Sequence, residues 1–319
     1  MNQRAAIDAA VAAAGRVCPV DYTYSPSMLA RAPDFTAETL YVVGGLYGNL
    51  EALREVERLA AAESATLVFN GDFHWFDAEP DWFAAIESGV APHRALRGNV
   101  ESEIARDGDI GAGCGCAYPS SVDEGVVTRS NEILAQLRDN ANAAQRARLA
   151  RLPMHLVAQV GALRVGIVHG DAAALAGWRF AHDALDNPNQ RHWLDDIRRR
   201  SQIDVFTCTH TCLAALRDFD LPCGRLTVAN NGAAGMPNFT GQTFGLLTRI
   251  ALTPSPHRPL YGMGRDDIFI DAIPIAYDAP AFLGRFEARW GEGSAAALSY
   301  RSRIIAGPDY PVSRARLPG

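Results

Sequence analysis

The 319-residue chain is 48% apolar and 21% charged, which supplies ample material for a core and is the composition of a globular protein. Its formal net charge of −6 gives no electrostatic reason to expect nucleic acid or an anionic membrane as partner. All 30 basic residues are arginine, which excludes a lysine Schiff base, a covalent pyridoxal-phosphate linkage and a phosphate-loop lysine.

Residues 5–15 are Ala-rich and hold Asp8, so they read as a short amphipathic helix, not as a secretory signal. No apolar run reaches the about 18 residues of a membrane span. The six cysteines do not form a disulfide framework, and the expected location is a reducing cytoplasm. A Pro- and Tyr-bearing extension runs to residue 39. Leu40–Val43 reads as a buried strand, and Leu50, Leu53, Val56 and Leu59 mark one face of a helix over 49–62. Ala65–Phe69 is the next strand, Pro80–Gly89 a short helix, and Ala95–Arg97 leads into another Gly turn. Residues 102–128, with Gly108, Gly111, Gly113, Gly115 and two cysteines, read as a long irregular loop. Ser130–Leu152 reads as helical, and His155–Val160 and Leu163–Val168 flank a Gly161-Ala162 turn as a hairpin. Helical segments are expected at 172–184 and 190–200, a strand at Ile203–Thr207 and a short helix after it. Strands follow at Arg225–Ala229, Phe244–Leu252 and 266–277, and helices at Pro280–Arg289 and Ser294–Ile304. This is a mixed α/β chain. The expected organisation is an N-terminal helix and extension over 1–39 and one domain over 40–264. A C-terminal strand and helices over 265–319 pack on that same domain.

Five strand-like runs end in short polar turns: Gly44–Asn49, Asn70–His74, Gly98–Glu101, His169–Asp171 and Cys208–His210. Loops at the carboxyl ends of strands are where open α/β sheets bind ligands, so these five should converge. Taken singly, each residue has an ordinary structural role as turn former, cap or buried thiol. The order and placement of the set point to a site.

That ordered set resembles the calcineurin-like metallophosphoesterases, whose signature is Asp-x-His-Gly-Asn, Gly-Asp, Gly-Asn-His-Asp/Glu, His, and Gly-His-x-His. Gly48-Asn49-Leu50-Glu51 matches the end of the first block, Asn70-Gly71-Asp72 the second and Arg97-Gly98-Asn99-Val100-Glu101 the third. Val168-His169-Gly170-Asp171 matches the fourth and Cys208-Thr209-His210 the fifth. The resemblance implies an α/β fold of two packed mixed β-sheets flanked by helices, with metal at one end. It also marks departures. Gly45 and Tyr47 stand where the family places an Asp and a His, so one metal position keeps only Asp72 and His210. The other keeps Asp72, Asn99 and His169, with Cys208 in place of a histidine. Val100 replaces the histidine that often serves as leaving-group acid.

The expected cofactor is therefore a divalent ion (Zn, Fe or Mn), about one per chain, on Asp72, Asn99, His169 and Cys208, with His210 adjacent. His210 and Asn99 are candidate catalytic residues. So is His74, because Asp72-Phe73-His74 recreates an Asp-x-His spacing. Arg97 is a candidate phosphate grip, and Gly48-Asn49 opens a helix whose N–H groups favour an anion. Cys114, Cys116, Cys208 and His210 offer an alternative C-x-C…C-x-H zinc set. The expected activity is hydrolysis of a phosphate mono- or diester, with a phosphorylated small molecule as partner. The alternative is an inactive phosphoesterase-fold protein that binds a phosphorylated ligand or protein.

Overall fold

A computed structural model of the chain describes residues 14–108 and 110–316. The helix expected at 5–15 lies outside the described residues, apart from its last two positions. The apolar runs become β1 (Phe35–Thr36), β2 (Thr39–Val43), β3 (Thr66–Phe69), β4 (Arg94–Ala95), β5 (His155–Val160) and β6 (Leu163–Val168). They continue as β7 (Val205–Cys208), β8 (Ala215–Leu221), β9 (Gly224–Asn230), β10 (Gly245–Ala251), β11 (Tyr261–Arg265) and β12 (Ile268–Ile275). Two six-stranded mixed sheets result, in the orders β1-β5-β6-β7-β9-β8 and β11-β12-β10-β2-β3-β4.

Alternation along the strands builds the layers. In β2, Leu40 and Val42 face the core between the sheets, with Val165, Ile167 and Val205 from the opposing sheet. Tyr41 and Val43 face the other way, under the helices Leu50–Ala62 and Pro80–Val90. In β7, Val205 joins the inter-sheet core, whereas Phe206 and Cys208 face an outer layer with Leu194 and Ile197 of the helix Arg191–Ser201. The C-terminal helices Ala279–Arg289 and Ala295–Ala306 cover the first layer through Phe282, Phe286 and Trp290. Among the described residues, no helix is long and apolar enough to cross a membrane.

Several local expectations change. The irregular stretch begins later, because Asn99–Ala105 is helical, and Glu124–Asn140 claims the loop's far end. The stretch 130–152 is two helices, broken where Asn142 caps Ala143–Ala150 through the Gln145 N–H. Only His182–Asp186 of the 172–184 segment is helical. Asp171 explains this, since its carboxylate accepts from the Ala173, Ala174 and Arg179 N–H groups and holds the chain in a turn. No helix follows β7; the chain turns and forms β8.

Candidate metal centre

The carboxyl ends of β2, β3, β6 and β7 meet at one edge of the sheets. The loop after β3 is fixed from behind by Glu101. Its buried carboxylate accepts from the backbone N–H groups of Asp72 and Gly98, both at 2.8 Å, of Phe73 at 3.0 Å and of His74 at 3.3 Å. This turns Asp72 into a left-handed conformation (φ 54°), a sparsely populated state for a side chain that must point at a site. Gly71 and Gly98 permit the close approach. A Cβ on Gly71 would lie 2.5 Å from the Gly98 nitrogen, and one on Gly98 would lie 2.2 Å from Asp72 Oδ1.

Four buried side chains converge there: Asp72, Asn99, His169 and His210. Their hydrogen bonds decide which atoms face one another. His169 Nδ1 lies 2.9 Å from the Asn70 carbonyl, which can only accept, so the ring proton sits on Nδ1 and Nε2 is bare. His210 Nε2 lies 2.9 Å from the Cys116 carbonyl, so there Nδ1 is bare. Asn99 Nδ2 donates to the Cys114 carbonyl at 2.9 Å, which turns Oδ1 inward. His169 Nε2 is then 3.1 Å from His210 Nδ1, 3.1 Å from Asn99 Oδ1 and 3.4 Å from Asp72 Oδ2.

With neutral rings, every one of these inward atoms is an acceptor. Acceptors do not gather in a buried space without a cation or a proton between them. A proton on His169 can serve one line of contact. Burial opposes charge on His169, yet the Asp72 carboxylate holds its pKa above the ordinary value. Burial and the neighbouring His169 push His210 down to about 4. A metal ion would serve all four acceptors. Ligands on bonds of about 2.0–2.2 Å in a tetrahedral shell stand roughly 3.3 Å apart; the three contacts of His169 Nε2 are near that value, and the ligand atoms of Asp72, His169 and His210 all lie within 4.8 Å of one another. The donation of each second imidazole N–H to a backbone carbonyl is the usual support of a metal-bound histidine. Among the described residues, Asp72, His169 and His210 form the one cluster of three His, Cys or acidic groups close enough to share an ion.

The other sequence-predicted residues lie elsewhere. Cys208 points into the apolar outer layer, because β7 alternates and Phe206 shares its face. His210, not Cys208, joins Asp72 and His169 in the buried cluster, and the C-x-C…C-x-H set does not assemble. His74 is fully buried, stacks on Phe83 with ring centroids 3.7 Å apart, and places Nδ1 2.5 Å from Asp77 Oδ2. Arg97 does not line the cavity; its Nη1 reaches the Ala150 carbonyl at 3.4 Å. Asn49 caps the helix Leu50–Ala62 through the Ala52 N–H and donates to the Gly235 carbonyl, and Gly48 offers its carbonyl to Trp82.

The position of the missing ligands is filled. The Tyr47 ring lies where a side chain on Gly45 would start, 2.5 Å from an ideal Cβ, and its hydroxyl meets Cys212 Sγ at 2.6 Å. Burial pushes both the phenol and the thiol upward, so in this structure they hydrogen-bond to each other as neutral groups. The loop Cys114–Cys116, expected to offer thiols, meets Asn99 and His210 through its backbone carbonyls instead. Sequence reasoning missed Trp178 and Tyr300, which join Trp75 and Tyr118 as an aromatic rim. The space they line is about 40 Å³ and partly open to solvent, room for an ion and a water.

The architecture is that of the calcineurin-like metallophosphoesterases. A hypothetical protein of Pyrococcus horikoshii OT3 superposes with a TM-score of 0.58 at 15% identity, over 86% of this chain and 99% of that one. A metallophosphoesterase from Sphaerobacter thermophilus gives 0.51 at 15% identity, over 85% of this chain and all of that one. At this identity the likeness is one of fold. No protein-family model matches the chain, and no curated protein matches it.

Proposed function

We propose that the chain is a one-metal phosphoesterase in which Asp72, Asn99, His169 and His210 hold a divalent Zn, Fe or Mn ion. The observation that carries this reading is the convergence of four buried acceptors, with both spare imidazole N–H groups given to carbonyls. When bound, such an ion supplies Lewis acidity to a phosphoryl oxygen and acidifies a water. The chain's own residues bind and orient. Glu101 fixes the Asp72 loop, the Cys116 carbonyl fixes His210, and Trp75, Tyr118, Trp178 and Tyr300 line the cavity. Metallophosphoesterase fold and metal-type site support phosphoesters as substrate class.

A second reading is an inactive protein that binds a phosphorylated ligand or partner. The narrow cavity favours it, as does Val100 at the position of the family's leaving-group acid. Elemental analysis of protein purified without chelator tests the metal. About one equivalent is expected, lost in His169→Ala; a variant that keeps its metal refutes the ligand set. Hydrolysis of a generic phosphodiester by the loaded protein then separates enzyme from binder.

A further inference from the structure

The space beside Asp72, about 40 Å³, holds little more than an ion and a water, so a phosphoester can enter only if a wall moves. Most of the walls are pinned. Asn99 is tied to the Cys114 carbonyl, His210 and the Trp178 N–H to the Cys116 carbonyl, and the Tyr47 hydroxyl to Cys212. Tyr300 differs: among the described residues it is the one wall residue supplied by the C-terminal helices, on Ala295–Ala306. Its half-buried ring closes against Phe76 and Trp75, with centroids 5.2 and 6.3 Å away. Burial, with the Cys116 and Cys212 thiols nearby, raises its pKa, as befits a phenol on the cavity side of its helix.

That helix is lightly held along its N-terminal half. Its buried side chains are Ala295, Ala296 and Ile304, so freeing that half exposes two methyl groups and part of one ring. Arg129 Nε donates to Ser299 Oγ at 2.7 Å and ties it to the helix Glu124–Asn140. On the opposite side lies an open groove of about 490 Å³, lined by Trp290, Ala297, Leu298 and Arg301. The ion pair that crosses it, Arg301 to Glu287, is solvent-exposed and holds little. The two ends differ. Trp290 is fixed through its N–H to the Phe76 carbonyl, and after it Gly291 and Gly293 stand in open space, Gly293 at φ 83°. At the far end Arg303 donates to the Cys212 and Pro237 carbonyls, and the Gly241 N–H to the Ala306 carbonyl at 2.7 Å. A free hinge, a fixed pivot and empty space behind the helix are the geometry of a lid.

We infer that the helix Ala295–Ala306 is the lid of the Asp72 cavity: its N-terminal half swings from Glu124–Asn140 into the groove and carries Tyr300 off the mouth, admitting the phosphoester. What the lid admits rests on the phosphoester reading above; the motion does not, and it is tested without ligand.

The test is labelling of the full-length protein, as purified, with N-ethylmaleimide, each cysteine being followed by peptide mass spectrometry. Cys116 lines the cavity beside Tyr300 and reports the lid; Cys208, 1% exposed in the outer layer, reports global unfolding. Cys116 should react at least about tenfold faster than Cys208, because a local opening costs less than unfolding the chain. It should also react far more slowly than in denatured protein. Ser299→Ala removes the tie to Arg129 without touching a wall, and should speed Cys116 about tenfold, still ahead of Cys208. Equal rates at Cys116 and Cys208 in the wild type overturn the lid, since the cavity then opens only with the whole chain. Labelling of Cys116 at the denatured rate overturns it too, because the mouth then stands open. An unchanged Cys116 rate in folded Ser299→Ala means that another wall moves, and overturns the assignment to this helix. If that variant does not fold, hydrogen exchange of the wild type decides: amides of Ala295–Ala306 should exchange faster than those of Glu124–Asn140, and equal protection overturns the lid. Absence of metal or of hydrolysis bears on the phosphoesterase reading alone and leaves these rates as expected.

Discussion

The helix Leu50–Ala62 has a buried polar cluster at each end, about 20 Å apart at 1.5 Å per residue. At its C-terminal end Arg249, fully buried, donates to Glu63 at 2.8 Å, to Asp271 at 3.2 Å and to the Thr253 carbonyl at 3.0 Å. Tyr41 adds its hydroxyl to Glu63. Donors and acceptors match, and the cluster is complete as it stands. At the N-terminal end, beyond Asn49, the carboxylate, amide oxygen and two imidazole nitrogens face one another with no donor among them unless a ring is protonated. One chain therefore contains a polar cluster that is its own partner and another whose acceptors outnumber its donors. Burial and hydrogen-bond geometry are alike in both, and the imbalance of donors is what separates a structural network from a site.

The largest effect should come from breaking the complete cluster. Arg249→Ala strands Glu63 and Asp271 without their cation and should cost about 3–5 kcal/mol in chemical denaturation. Its metal content per folded molecule should stay unchanged. Loss of metal in that variant would couple the two ends and dissolve the contrast. The next effect belongs to the incomplete cluster. Metal at 100 times its Kd should raise stability by about 2.7 kcal/mol, and chelation should remove the gain. His169→Ala should lose that increment while Arg249→Ala keeps it. A wild type whose thermal midpoint ignores chelator would place no ion at Asp72.

A smaller effect separates the clusters by pH. Burial raises the Glu63 pKa, but the hydrogen bonds from Arg249 and Tyr41 outweigh it and hold the carboxyl below its ordinary value. A depressed folded pKa contributes stability above the unfolded pKa near 4.5, and that stability is lost as pH falls through the folded value. Glu63→Gln should therefore flatten the acid limb of the stability curve below pH 4.5. A mutant with the wild-type acid limb would show that Glu63 gains nothing from Arg249 in the folded state.

The two clusters also differ in how far the sequence discloses them. Asp72, Asn99, His169 and His210 are legible because the site draws on residue types at the ends of strands, where turn glycines and apolar runs mark position. The sheets are legible for the same reason. Cys208 was misplaced because a motif gives order along the chain, while strand alternation decides the face, and Phe206 had already claimed the outer one. The carbonyls of Cys114 and Cys116 are invisible to any reading of side chains. Arg249, Glu63 and Asp271 come from distant segments with no common spacing, so their pairing emerges only from the antiparallel register that sets Arg249 against Asp271 on β12. Strands β8 and β11 were missed because Arg217, Asp218, Asp220 and two glycines break their apolar pattern.

The smallest expected change in stability probes the filled position beside the site. Gly45→Asp alone should fail to add a ligand, since its Cβ would sit 2.5 Å from the Tyr47 ring. Combined with Tyr47→His the ring is gone, and both new side chains start from the turn after β2, whose Gly45 and Tyr47 N–H groups donate to the Gly71 and Asp72 carbonyls of the neighbouring loop. The backbone there is left-handed at both residues, φ 58° at 45 and 54° at 47. Tyr47 already bears that strain and His tolerates it, so the added cost is the Asp at a former glycine, about 1 kcal/mol. The double variant should bind a second metal equivalent, shared with Asp72 and His210, and hydrolyse phosphodiesters faster, because a two-metal clamp stabilises both attacking and leaving oxygens. A folded double variant with one equivalent would mean that the turn does not face the ion. A wild type with two equivalents would mean that the Tyr47–Cys212 pair yields its place to metal, and the contrast between a filled and an open half of the site would be withdrawn.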